Sequence, residues 1–284
     1  MPGSPVAKIA SKSGSVAGEK RFAFGKNWQR FLKGFNDQRI AEAERSLREM
    51  LTVQNLRNHS FLDIGSGSGL FSLAAMRLAA ARVHSFDFDS QSVACTEELK
   101  RRYFPEAGNW TIEQGSVLDS GYLSGLGQFD VVYSWGVLHH TGDMWHALEN
   151  VIGAVAPGGT LFIALYNDQG LASRVWKTIK RLYSRWAGLR PFFLAFFSSY
   201  FVLRGLAKDL LILRRNPLRR YREYHSSRGM AFWPDRIDWI GGYPFEVANP
   251  GQVFDFYRER GFRLVRLKAA GYGRGCNEFV FRKG

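Results

Sequence analysis

Residues 61–75 read FLDIGSGSGLFSLAA. Gly65, Gly67 and Gly69 alternate with two serines, Asp63 stands two residues ahead, and an alanine-rich apolar run follows. A glycine-rich turn from a strand into a helix lets a ligand approach the backbone closely. The spacing is G-x-G-x-G. The sixth position, where the dinucleotide fingerprint carries glycine, is Leu70. A carboxylate at Asp63 would repel a pyrophosphate and suits a ligand with an ammonium group and no phosphate. A second acid, Asp87, ends the next strand-like segment, where its two oxygens suit a pair of ribose hydroxyls.

Working outward, strands and helices alternate from residue 60 to 167. Strands are predicted at 60–64, 82–87, 110–114, 129–134 and 160–166, and helices at 70–80, 90–102 and 143–155. The run APGG at 156–159 is expected to close the last of these helices. The pattern resumes near Pro250 with a helix at 252–260 and strands at 262–269 and 277–282. The short GYGRGC link makes those two strands antiparallel neighbours. The expected fold is α/β: a Rossmann-like, mostly parallel sheet with helices on both faces. Residues 58–167 and 250–284 form its domain, 1–57 an N-terminal leader and helical cap, and 168–249 a basic, aromatic helical insertion.

These segments resemble the class I S-adenosylmethionine-dependent methyltransferases. FLDIGSGSGLF is similar to that family's first motif and SFDFD at 85–89 to its second. QGSVLD at 114–119 is similar to the segment beside the adenine, and FDVVYSWGVLHHTGDMWHALENV with APGGTLFIALYN to the fourth strand through the fifth. The resemblance implies a seven-stranded sheet with the last strand antiparallel, and S-adenosyl-L-methionine as cofactor. It implies that Asp63, Gly65 and Gly67 meet the methionine part and that Asp87 holds the ribose. Phe88 would lie against the adenine, Ser116 and Val117 at its edge. Ser134 and Trp135 would line the loop after the fourth strand. RFAFGKNWQRF at 21–31 either closes over the cofactor through Phe24 and Trp28 or packs as an amphipathic helix on the sheet.

The residues after the fourth strand narrow the acceptor. Methyltransferases acting on amide or exocyclic amino nitrogen usually carry Asn/Asp-Pro-Pro-Tyr/Phe there; this chain has Ser-Trp-Gly-Val at 134–137. Neither Cys95 nor Cys276 stands where a cytosine C5 enzyme keeps its nucleophile, so nucleic acid is disfavoured. LHHTG at 138–142 resembles the small-molecule branch, typified by ubiquinone-biosynthesis O-methyltransferases. Methyl transfer needs the nucleophile held at near-attack distance, and a hydroxyl acceptor gains from a histidine base. His140 is the preferred base; His139 and Tyr166 are the other catalytic candidates. Asn167, Tyr243 and Glu246 are candidates for the acceptor pocket. Each has a structural alternative: histidines that shape their loop, a turn at 167–170, and an aromatic-packed linker at 238–246. The rival functions are methylation of a peptide, glycan or other acceptor at oxygen, nitrogen or carbon; a nicotinamide-dependent oxidoreductase, opposed by Leu70 and Asp63; and a non-catalytic cofactor-binding protein, opposed by the intact loop and Asp87.

The net charge of +14 is uneven: +6 over residues 1–57, −6 over 58–167, +9 over 168–249 and +5 over 250–284. An acidic middle between basic flanks suits an anionic acceptor or surface. Two distant cysteines argue against a disulfide framework or a cysteine metal site and fit a reducing cytoplasm; no metal is expected. The first 18 residues lack the apolar stretch of a signal peptide. Residues 171–190 read as a basic amphipathic helix with Leu171, Val175, Ile179, Leu182 and Trp186 in one arc. The insertion is a lid that forms the acceptor pocket, a peripheral membrane contact through 171–215 that delivers a lipid-like acceptor, or a dimer interface.

Overall fold

The computed structural model describes residues 25, 28, 32, 35–207, 209–210, 240–271 and 275–284. The leader, Phe24 and the basic run RRNPLRR at 214–220 lie outside them.

Helix α1 (Asp37–Leu51) precedes β1 (Ser60–Ile64), α2 (Leu70–Arg77), β2 (Arg82–Asp87), α3 (Ser90–Tyr103) and β3 (Trp110–Gln114). A short helix α4 (Ser120–Gly125), β4 (Phe129–Trp135), a 3-10 turn at Leu138–His140, α5 (Met144–Ala154) and β5 (Val155–Tyr166) follow. The insertion contributes α6 (Leu171–Arg185) and α7 (Arg190–Ala207), before α8 (Pro250–Arg258), β6 (Phe262–Lys268) and β7 (Cys276–Lys283).

The seven strands lie in the order β3-β2-β1-β4-β5-β7-β6. The first five are parallel; β7 pairs antiparallel with both β5 and β6. Strand β1 sits between β2 and β4 and is buried on both faces, which suits the adjacent apolar Phe61 and Leu62 and the apolar Ile64. The strand order turns back between β1 and β4, and their carboxyl ends open the crevice where α/β sheets take ligands. One apolar layer under α1, α2 and α3 includes Ile40, Leu47, Leu73 and Trp110. The other, under α5 and α8, includes Leu148, Val151, Phe256 and Tyr257.

Two local expectations are corrected. APGG does not close α5: Val155 already pairs with Phe129, and the chain runs through Gly158 and Gly159 within β5. A register shift between Phe129 and Val131 absorbs the irregularity. The helix expected over 171–190 ends at Arg185, and its apolar arc, whose direction the sequence left open, faces away from the protein. Leu171, Val175 and Leu182 are exposed, while Ser173, Lys180, Tyr183 and Ser184 are buried.

Candidate functional site

The glycine loop is shaped by what presses on it. Gly65, Gly67 and Gly69 all have positive φ, at 76°, 56° and 79°, a region costly to other residues. A Cβ on Gly65 would stand 2.4 Å from Val137, and one on Gly67 2.9 Å from the Trp28 indole. Trp28 therefore covers the loop. The N–H groups of Gly65 and Ser66 both donate to the Phe86 carbonyl, stitching the loop to the end of β2.

Two carboxylates bracket this loop, and residues 61–75 hold no lysine or arginine. Asp87 accepts from Gly67 N–H through Oδ2 and from Asp89 N–H through Oδ1, both at 2.9 Å. Each oxygen keeps acceptor capacity beyond its one backbone bond. Burial, partly offset by these bonds, pushes Asp87 up to about 6. Asp89 caps α3 through Gln91 N–H and takes Gly25 N–H at 2.9 Å, so the N-terminal segment is pinned at the same corner.

Asp63 is buried, and its carboxylate ends a hydroxyl chain that begins in the core. Trp110 Nε1–H donates to Ser85 Oγ at 2.9 Å, Ser85 to Ser72 Oγ at 2.7 Å, and Ser72 to Asp63 Oδ2 at 2.5 Å. Burial is the largest effect on this acid and pushes it up to about 7, with the Ser72 bond acting in the opposite sense. Nothing in the sequence pattern pointed to Ser72, Ser85 or Trp110 as its supports.

Around the crevice, Phe88 and Trp135 are exposed, 58% and 42%, and Ser116 is half-buried. Val117 is buried, and its carbonyl accepts from Asn150. Ser134 is fully buried, and its hydroxyl donates to Ile64 O at 3.0 Å, bracing the end of β4 against β1.

At the carboxyl ends of β4 and β5, His139, His140, Tyr166 and Phe245 cluster. The Tyr166 ring centroid lies 4.1 Å from His139, 5.5 Å from His140 and 5.3 Å from Phe245. His140 Nδ1 lies 2.6 Å from the Pro244 carbonyl. A carbonyl only accepts, so Nδ1 carries the proton and Nε2 the lone pair. Burial first, then the charge of Lys180, push His140 down to about 3. His139 is the opposite tautomer: Tyr166 N–H donates to its Nδ1 at 3.3 Å, which leaves the proton on Nε2. That Nε2 is buried without a hydrogen-bond partner among the described residues. Lys180 is fully buried too, its ammonium 5.0 Å from the Phe245 ring.

The pocket candidates are held by their own surroundings. Asn167 gives its side-chain N–H to Gly271 O and accepts from Asn277, tying β5 to the β6–β7 hairpin. Glu246 accepts from Met144 N–H at 2.9 Å at the start of α5, where a helix favours negative charge. Burial still pushes it up to about 7. Its own N–H donates to His139 O, so residues 243–248 are sewn to the loop after β4. Tyr243 is buried in that segment. Among the described residues no group of three or more metal-ligating side chains converges.

Residues 62–161 match the family described as "Methyltransferase domain". The chain is 34% identical over 121 residues to a ubiquinone biosynthesis O-methyltransferase from Parvibaculum lavamentivorans, covering 40% of this chain and 43% of that protein. It is 44% identical over 54 residues to a ribosomal protein L11 methyltransferase from Methylococcus capsulatus, covering 19% and 18%. The chain thus spans less than half the length of either relative. Magnesium protoporphyrin IX methyltransferase from Synechocystis PCC 6803, solved with bound S-adenosylhomocysteine, superposes with a TM-score of 0.55 at 13% identity, over 91% of this chain and 94% of that one. Residues 62–161 thus match a methyltransferase domain, and the seven-stranded fold that carries them is shared with a methyltransferase solved with bound S-adenosylhomocysteine.

Proposed function

We propose that the protein is an S-adenosylmethionine-dependent methyltransferase that methylates an oxygen of a small-molecule or lipid-like acceptor. Residues 58–167 and 250–284 bind the cofactor and residues 168–249 cover the acceptor side. The observation that carries this reading is the loop between two carboxylates: three glycines at positive φ, Asp63 before them, and Asp87 clamped onto Gly67 N–H. No cationic side chain lies in that stretch to meet a phosphate.

The residues present fit the cofactor. Asp63 suits an ammonium, Asp87 two vicinal hydroxyls, and Trp28 and Phe88 offer aromatic surface. Gly65, Gly67, Ser116, Val117 and Trp135 complete the proposed cofactor set. S-adenosylmethionine, when bound, supplies an electrophilic methyl group on a sulfonium.

The chain's own residues then orient the acceptor. His140, neutral and fixed by Pro244 O, presents Nε2 as the acceptor of the hydroxyl proton. His139, with its proton on Nε2, is a donor aimed into the same cluster. Tyr166 holds both imidazoles through its backbone N–H and ring. Oxygen is favoured over an amide or exocyclic amino nitrogen because the loop after β4 carries no Asn/Asp-Pro-Pro-Tyr/Phe.

The test is titration calorimetry with S-adenosylhomocysteine, followed by methyl transfer from radiolabelled S-adenosylmethionine into a lysate partitioned between organic and aqueous phases. Binding that Asp87→Ala abolishes, with label incorporated only by unheated enzyme, is the expected result. No binding at millimolar ligand would overturn the reading, and stabilisation by NADH alone would replace it.

A further inference from the structure

Helix α6 is mounted with its apolar stripe outward. A soluble amphipathic helix buries its apolar arc; here Leu171 is 75% exposed, with Val175 and Leu182 beside it, and the buried arc is Ser173, Lys180, Tyr183 and Ser184. The inward side is bonded in place: Ser184 Oγ donates to Gly241 O, and Lys180 lies over Phe245. The orientation is therefore fixed by polar contacts of the buried face.

The stripe continues beyond α6. Trp186 and Leu189 are exposed at the turn, and α7 exposes Phe192, Phe196, Tyr200 and Leu203 at helical spacing. Ring contacts of Trp176 with Phe197 and of Tyr183 with Phe193 hold the two helices as an antiparallel pair through their other faces. Large apolar side chains exposed over such a length mark an interaction surface.

Charge names the partner. Residues 171–207 contain seven lysines and arginines and no acid. Arg174, Arg181 and Arg185 are exposed along one border of the α6 stripe. Apolar and aromatic side chains bordered by arginine are the pattern of a helix lying in the interface of an anionic bilayer. A second copy is a poorer occupant, because a two-fold interface would set the same basic border against itself. No helix among the described residues is long and apolar enough to cross a membrane.

We infer that α6 and α7 form a peripheral docking surface for an anionic lipid bilayer, with the outward stripe seated among the acyl chains and Arg174, Arg181 and Arg185 on the headgroups. The opposite face of α6 carries Lys180 to Phe245, so docking sets the acceptor side of the crevice against the membrane. The surface exists whether or not the methyl-transfer reading holds.

The experiment is co-sedimentation of the full chain with vesicles of phosphatidylcholine alone or with a quarter phosphatidylglycerol, at physiological salt. Wild type is expected to sediment with the anionic vesicles only. The variant Leu171→Gln, Val175→Thr, Leu182→Gln should lose about tenfold or more of that partitioning, as should Phe192→Ser, Phe196→Ser. Neutralising Arg174, Arg181 and Arg185 to Gln should cost about fivefold per charge. S-adenosylhomocysteine affinity, measured in parallel, should be unchanged in all of them; they alter exposed side chains outside the proposed cofactor set. Wild type that stays in the supernatant overturns the inference, as does partitioning that the stripe variants leave intact. A concentration-dependent dimer that the stripe variants dissociate, with no vesicle binding, also overturns it and assigns the face to a second copy.

Discussion

Ser72 Oγ, on the first turn of α2, donates to Asp63 Oδ2 at the end of β1, at 2.5 Å, and is itself held by Ser85 and, behind it, Trp110. The carboxylate ahead of the glycine loop is thereby aligned from inside the core. Ser72→Ala removes one charge-assisted bond and leaves Ser85 without its acceptor. S-adenosylhomocysteine affinity should fall about ten- to hundredfold. Calorimetry on the variant checks this; unchanged affinity would remove Ser72 from the positioning role.

The same acid gives a pH dependence with a definite sign. Asp63 stands at about 7 in the fold, well above the ordinary aspartate value. Between those values the native state binds more protons than the unfolded chain, so this group's contribution to stability is fullest at low pH and is lost as pH rises through 7. Asp63→Asn should therefore stabilise the unliganded protein at pH 8, by up to a few kcal/mol, while weakening a ligand that carries an ammonium. Denaturant melts at two pH values, with and without ligand, read both effects.

Gly65 and Val137 form a testable pair. Gly65→Ala should destabilise by about 2–4 kcal/mol, through positive φ and through overlap with the Val137 methyls. Adding Val137→Ala should restore about 1 kcal/mol and no more, because the φ cost remains. Urea unfolding of the two single variants and the double variant measures the coupling.

His140 is neutral across the physiological range, because burial and Lys180 hold it near 3. The rate of methyl transfer should accordingly show no acid limb near the usual histidine value. His140→Asn can keep a donor near Pro244 O but has no second ring nitrogen. Turnover should fall about a hundred- to ten-thousandfold, with cofactor affinity retained. A smaller loss, with KM raised instead, would make His140 a residue that shapes the loop.

Lys283, at the end of β7, donates to Ile152 O and Val155 O at 2.9 and 2.8 Å, at the carboxyl end of α5. A cation there meets the negative end of the helix. Lys283→Met should cost about 1–2 kcal/mol in urea unfolding and leave S-adenosylhomocysteine binding unchanged.

What could be read from the chain was whatever is local. The loop, Asp87 at a strand end and the alternation of strands and helices all lie within short windows, and the strands fall within a residue or two of their expected limits except at Val155. What could not be read depends on distant partners. Glu246 is held by a helix start a hundred residues earlier, Asn167 by a hairpin a hundred residues later, and Ser134 by Ile64 across the sheet. The tautomers of His139 and His140 follow from Tyr166 N–H and Pro244 O, which no spacing encodes. Helix α4 had a local signal that was passed over: Asp119 accepts from Tyr122 N–H at its start. The direction of α6 stayed open between a lid, a membrane contact and a dimer interface, because amphipathicity reports two faces without saying which one meets the protein.

The position of β7 between β5 and β6 bears on how the chain is made. Strand β5 pairs Thr160–Tyr166 with Arg282–Cys276, so one edge of a buried apolar strand waits for a segment more than a hundred residues downstream. On a ribosome, the first five strands can pair in succession while that edge of β5 stays open to any extended peptide. Interrupted synthesis after the insertion would leave a sheet with an adhesive margin. Completion of the β6–β7 hairpin is thus the step that closes the sheet, at high contact order, where a nascent chain is most exposed to aggregation.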